Sequence, residues 1–433
     1  MPQVTHWQDF WKSWPAVKND AVRAYLERRA AQGSWRLETD SAGLFPGGLV
    51  IPSLAESASL PCLLQSLCSD HTLAASGLLV VFVVNNREDS SVAEQADNAH
   101  SLALLREKSG KVPFPIGIVD ASSPGLSLGN KDGGVGLARK LGHDLLLPKL
   151  DFSGPDPVII SLDADTLVSP GYSGAIVTHF RSASAGGAVV PFTHLPATGE
   201  QENLAIERYE LFLRCYVAGL AFAGSPYAFH TVGSAMACRA SAYLKCGGMN
   251  RRRAGEDFYF LQSLAKTSGV EQVHGAMVYP SPRRSERVPF GTGRAMGMLL
   301  DGDKEAVLFY RPESYLLLKQ WLELALEGCR ERCPGLVDRA GESPHLHGFL
   351  LDQGFPAAWD GLLSHNRREE RLVSAFHNWF DAFRTMKLFH YLAEKEFPRT
   401  GPEDVVGRFQ TAWGEANLSM TERLEFLRGV QNM

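Results

Sequence analysis

Short, unbroken apolar runs alternate with stretches whose apolar residues recur at three- and four-residue spacing. GGLVIPSLAES (47–57), GLLVVFVVNN (77–86), FPIGIVDA (114–121) and VII (158–160) are apolar runs of strand length, bounded by Gly, Pro and polar residues. Such runs read as strands buried on both faces. Pro52 is expected to end the first of them, because it lacks the N–H a ladder needs. Between the runs, Ser57–Cys68 places Leu60, Leu63, Leu64 and Leu67 on one helical face, and 91–108 is also helical. Strands alternating with helices predict an α/β fold, a mostly parallel sheet with right-handed crossovers and flanking helices. Further strands are expected at 186–196, within 233–249 and at 270–283, with a long helix at 201–222. Residues 1 to about 40 (WQDFWKSW, AVRAYLERRAA) look helical. After Met296 helical spacing runs to the end, and Phe376, Trp379, Phe380 and Phe383 read as core. The expected organisation is an N-terminal helical extension (1–45), an α/β domain (46–300) and a C-terminal helical domain (301–433).

The chemistry concentrates where the strands run out. VIISLDADTLVSPGY (158–172) carries Asp163 and Asp165 just beyond its apolar run. Unpaired carboxylates are too costly to leave inside an apolar sheet. They are therefore expected at the strand's carboxyl end, where open α/β sheets bind ligands. Two acidic groups there suit a hard divalent cation that also touches substrate phosphates. GNKDGGVGLAR (129–139) is a Gly-rich turn into a helix; its glycines allow close backbone approach and Lys131 offers a point charge. Arg139, inside that helix, suits either a structural ion pair to the sheet or contact with a ligand. Glu256 and Asp257 follow Gly255 at a helix start, where the helix N-terminus favours an ionised carboxylate. Arg251–Arg253 and Arg283, Arg284, Arg287 and Arg294 form basic stretches that suit either an anionic ligand or a solvated surface.

Composition narrows the class. Apolar residues make up 45% and charged residues 21%, the balance of an ordinary globular protein. A net charge of -5 gives no sign of nucleic-acid binding. The opening MPQVTHWQDFWKSWP has no apolar h-region, and no run is long enough to span a bilayer. The seven cysteines are scattered and lack zinc spacing. A cytoplasmic protein with reduced thiols is expected, a peripheral membrane role remaining open.

Together the first strand with Pro52 and Glu56, the Gly-rich turn ending in Ala138–Arg139, the LDAD strand end and GGM…GEDFYFLQSL resemble the GT-A nucleotide-sugar glycosyltransferases, family 2 type, over roughly residues 46–300. The resemblance implies a sugar transferred from a nucleotide-sugar donor to an acceptor hydroxyl, with Mn²⁺ or Mg²⁺. By the family pattern Pro52 and Glu56 touch base and ribose. The base-reading aspartate after the second strand is replaced by Asn85, Asn86 and Asp89, with Asp120 as the substitute. Lys131, Gly134 and Arg139 face the diphosphate. Asp163 meets ribose or metal, and Asp165 binds the metal. His274, or less readily His230, supplies a further ligand. Asp257 is the general base of an inverting displacement, and Glu256 orients the acceptor or supports its loop.

Alternatives stay open. The GNKDGG segment is also similar to that of retaining mannosylglycerate-type synthases. A nucleotidyltransferase shares the sheet but would carry a G-x-G-T-R-like loop where this chain has PSLAES. A catalytically silent scaffold is a third reading. The acceptor (an anionic small molecule, a glycan or a lipid-linked group) and homo-oligomer formation are left open.

Overall fold

In a computed structural model of the chain, the described residues are 19–285, 287, 291–403 and 418–432. They fall into two compact units: one runs to Leu195 and takes in Thr231–Ser281, the other comprises Pro196–His230 and everything from Pro282. This division differs from the boundaries at 300 and 301 in giving 196–230 and 282–300 to the helical unit.

The first unit is built on eight strands: β1 Leu37–Thr39, β2 Gly47–Ser53, β3 Leu79–Asn85, β4 Ile116–Ala121, β5 Val158–Ser161, β7 Gly187–Val189, β8 Met236–Arg239 and β9 Val270–Gln272. Their order is β1-β4-β3-β2-β5-β8-β7-β9. The central run β4-β3-β2-β5 is parallel, as are β7 and β9, while β1, β8 and β7 join antiparallel. Every residue of β2, β3, β4 and β5 is buried, which is why these segments read as unbroken apolar runs. The remaining strands, β6 Leu167–Val168 and β10 Val278–Tyr279, form a separate two-stranded ribbon.

Around the sheet lie α1 Asp20–Arg29, α2 Leu60–Ser69, α3 His71–Ser76, α4 Val92–Lys108, α5 Val135–Leu146, α6 Tyr172–Ser182, α8 Ala240–Lys245 and α9 Glu256–Ser268. Leu60, Leu63, Leu64 and Leu67 are the buried face of α2, as their spacing predicts. Helix α5 is buried almost throughout, and Gly142 lets it lie against Val50 and Val83: a Cβ there would be 2.8 Å from a Val83 methyl.

Three strand expectations need correction. WQDFWKSW lies outside the described residues, but the helix expected to about residue 40 stops at Arg29, and Leu37–Thr39 is an edge strand on β4. Pro52 does not end its strand; it stays in β2 opposite Val83. The carbonyl of Val50 accepts from Leu162 on the β5 side, and Pro52, two residues on, faces the same side beyond the last β2–β5 pair. Its missing N–H therefore breaks no ladder bond. The strand expected at 270–283 is two strands, β9 in the main sheet and β10 in the ribbon, with Gly275 at φ 78 between them.

The second unit is helical: α7 Glu200–Phe222, α10 Thr292–Leu300, α11 Pro312–Glu331, α12 Leu336–Arg339, α13 Pro344–Asp352, α14 Phe355–His365, α15 Glu369–Trp379, α16 Ala382–Lys395 and α17 Met420–Gln431. Its core is aromatic. Trp321 stands edge-on to Phe355, Phe376 and Phe380, with ring centroids 5.1–5.9 Å apart. Phe376 and Phe380 are buried as expected, whereas Trp379 and Phe383 are half-buried and covered by Arg384 and Lys387. Among the described residues no helix is long and apolar enough to cross a membrane.

Candidate active site

The chain leaves β2 for β3 and then β4 on one side, and returns to β5 on the other. The carboxyl ends of β2 and β5 thus flank the topological switch point, where open α/β sheets leave a crevice for ligand. Pro52 and Glu56 come from the first of these ends, and Asp163 and Asp165 from the second.

A buried polar network shapes the β2, β3 and β4 ends. Ala55, at φ 51, donates its N–H to Asn98 Oδ1 at 2.8 Å, and Ser57 bonds Asp97 through its N–H (2.9 Å) and hydroxyl (2.6 Å). The loop after β2 is therefore pinned to α4. Glu56 is buried and accepts from the Ser59 hydroxyl at 2.8 Å. Asn98 donates to the Asn85 carbonyl (3.0 Å) and to Asn86 Oδ1 (2.9 Å), while Asn86 Nδ2 donates to the Arg87 carbonyl and Ser127 Oγ. Asn86 thus spends both ends of its amide on the fold. Asp120 accepts from the N–H and hydroxyl groups of Ser122 and Ser123 at 2.6–3.2 Å. Burial works to raise its carboxyl, but the Ser123 and Ser122 hydrogen bonds hold it below the ordinary value. Lys131 is exposed on the turn before α5.

Arg139 is the centre of the second half. It is 2% exposed. Its guanidinium meets Asp163, donates to the Gly233 carbonyl at 2.8 Å, and stands 3.4 Å from Glu256. Two glycines make room: a Cβ at Gly233 would overlap the guanidinium, and one at Gly136 would overlap the Arg252 carbonyl and lie 2.9 Å from Glu256 Cβ. Gly134 passes close to the same segment, where an added Cβ would be 3.0 Å from Arg253 Cα. The glycines of the Gly-rich segment therefore bring α5 against residues 252–256. Gly255 holds φ 68 at the start of α9, which explains the glycine in Gly-Glu-Asp.

The guanidinium pairs with Asp163 and Glu256, and its charge also acts on Asp257. Burial lifts Glu256 to about 7, Arg139 pulling it down and Asp257 pushing it up. Burial also raises Asp257, against the pull of Arg139. Glu256 is buried behind Arg139, whereas Asp257 and Asp163 are partly exposed. The structure thus joins Arg139, Asp163, Glu256 and Asp257.

Asp165 follows Asp163 on the same strand end and is partly exposed. His274 stands exposed beyond β9, the last strand of the sheet, and no three His, Cys, Asp or Glu side chains gather as metal ligands among the described residues. His230 belongs to the helical unit, where Nε2 bonds Gln431 Oε1 at 3.1 Å and burial pushes its imidazole down to about 3. Of the two readings of Arg139, the ion pair to the sheet is present, with Asp163, but its further reach to Glu256 was missed, and so was Asn98. Neither left a signal that can be read along the chain, because the partners of each come together only on folding.

No family model matches the chain, and no curated protein does. Among solved structures it is similar to S. aureus TarS 1–349 in complex with UDP-GlcNAc, at TM-score 0.38 and 12% identity over 81% of this chain and 87% of that one. It is also similar to the mannosyltransferase PcManGT from Pyrobaculum calidifontis in complex with GDP-Man and Mn²⁺, at TM-score 0.37 and 12% identity over 98% and 93%. The likeness is distant and assigns no residue a role.

Proposed function

We propose that the protein is a metal-dependent glycosyltransferase that moves a sugar from a nucleotide-sugar donor to an acceptor hydroxyl. The observation that carries this is Arg139, buried at the switch point and tying the Asp163 strand end to the Glu256–Asp257 helix start. That juxtaposition supports reading the Asp163 strand end and the raised Asp257 carboxyl as parts of one site.

The donor set fits a hard cation, Mn²⁺ or Mg²⁺. Asp165 and Asp163 would hold it, beside the donor's diphosphate. Bound there, it would supply Lewis-acid stabilisation of the leaving diphosphate. Lys131 adds a point charge from the turn before α5. Pro52, Glu56 and Asp120 line the strand ends where the nucleoside would sit, Asp120 as an ionised hydrogen-bond acceptor. Asp257 accepts the proton of the attacking hydroxyl, and its raised carboxyl makes it a stronger base than an exposed aspartate. Glu256 sits behind Arg139 and holds the base-bearing turn. With Asp257 as base, a single displacement with inversion at the anomeric carbon follows.

The similar structures name the donors to try. Thermal shift with UDP, UDP-GlcNAc, GDP and GDP-mannose, each with and without Mn²⁺, tests the reading, because a ligand of the native state raises the melting temperature by mass action. A Mn²⁺-dependent rise with one nucleotide, absent in Asp165→Ala, is the expected result. Folded protein that shifts with none of them would favour a silent scaffold.

A further inference from the structure

Starting one residue after the site arginine, helix α5 carries a second ionic cluster that the proposed reaction does not use. Lys140 and Asp144 pair at 3.0 Å, and both are buried. Two tyrosines join them. Tyr25, on α1, donates to Asp144 Oδ1 at 2.9 Å and accepts from Lys140 Nζ at 2.9 Å. Tyr243, on α8, donates to the same carboxylate oxygen at 2.9 Å, and the Ala31 N–H donates to the other at 2.8 Å.

The same N-terminal helix reaches the segment that leads to Glu256 and Asp257. Gly247 and Gly248 both have positive φ, and a Cβ on Gly248 would overlap the Tyr25 hydroxyl. Three residues on, Arg251 donates to the Ala30 carbonyl at 3.3 Å. Helix α1 therefore touches both partners of the site, α5 with Arg139 and the 247–256 segment with the carboxylates. Both groups of contacts lie within the first unit.

A buried ion pair is weak evidence for added stability, because desolvation offsets most of the attraction. A fully satisfied polar network does fix one arrangement, since any shift strands a buried charge. We propose that α1 is a brace for the active site, and that Tyr25 is a positioning residue which sets the base-bearing segment against the helix that carries Arg139. This rests on the reading of 250–257 as the base-bearing segment. Its chemical consequence is that Asp257 meets the acceptor, or water in the absence of one, at a fixed reach.

Full-length Tyr25→Phe removes the shared hydroxyl and keeps the ring. Hydrogen exchange is expected to quicken about tenfold at amides 250–257 while the amides of β3 stay protected. In Mn²⁺-dependent hydrolysis of GDP-mannose or UDP-GlcNAc, kcat is expected to fall about tenfold with little change in donor KM. Arg251→Ala, which cuts the partly buried contact to the end of α1 and leaves the Tyr25 network intact, should quicken the same amides to a smaller degree. Unchanged exchange at 250–257 in both variants would overturn the brace, as would a uniform rise that includes β3. If wild-type protein neither binds nor hydrolyses a nucleotide-sugar, the functional reading fails while the exchange data still decide the brace.

Discussion

Each unit buries an arginine, and the two are paired in opposite ways. In the helical unit Glu210 accepts from Arg214 Nε at 2.8 Å and from Arg428 at 2.8 and 2.9 Å, and Arg428 also meets Glu425 at 2.6 Å. Charges alternate in sign along this chain of contacts, which fastens α17 to α7. In the α/β unit Arg139 is outnumbered by Asp163, Glu256 and Asp257. A cluster that alternates in sign holds helices together. One in which carboxylates outnumber the arginine cannot be neutral with every member ionised, and two of its carboxyls are raised toward the protonated form. The difference is one of charge balance: the first cluster is matched, the second is not.

The comparison can be broken at several points. Asp257→Asn should lower turnover by about 10²–10⁴-fold if it is the base, with a melting temperature no lower than wild type, since a carboxyl raised by burial is removed. Activity close to wild type would take Asp257 out of the mechanism. Glu210→Ala strands Arg214 and Arg428 and should cost about 3–5 kcal/mol in denaturant unfolding. A near-neutral result would show that the joint is not held by its charges.

Glu256→Gln tests the surplus through pH. The folded carboxyl lies at about 7 against an ordinary 4.5, so the native state holds this proton more tightly than the unfolded chain. Wild-type stability should therefore fall as pH rises from 4.5 to 7. The variant lacks that loss. Its stability relative to wild type should be level below pH 4.5 and improve by up to about 3 kcal/mol by pH 8. Denaturant midpoints at pH 4.5, 6 and 8 measure it, and a difference that does not move with pH would contradict the shift. The smallest effect is Gly255→Ala, where a left-handed backbone costs about 1–2 kcal/mol.

The parallel core was legible because β2, β3, β4 and β5 are buried throughout and apolar up to their carboxyl ends, and the helix spacing of Leu60 to Leu67 was legible because one face is buried. Strand β1 was not, because three residues with polar Glu38 and Thr39 carry little pattern and gain their order from pairing with β4. In the site, Asp163 showed itself by ending an apolar run, and Glu256 and Asp257 by following a glycine at a helix start. The role of Arg139 did not, because its partner Gly233 lies 94 residues away and only folding brings them together. The grouping of α7 with the C-terminal helices was hidden likewise: an amphipathic pattern says that a face is buried, not against what.

The most direct measurement is nucleoside diphosphate release from GDP-mannose and from UDP-GlcNAc, with Mn²⁺ present or chelated, by wild type and by Asp165→Asn. The account predicts release from one donor by wild-type protein, lost on chelation and in the variant. Release that survives both, or none from any nucleotide-sugar by folded protein, would contradict it.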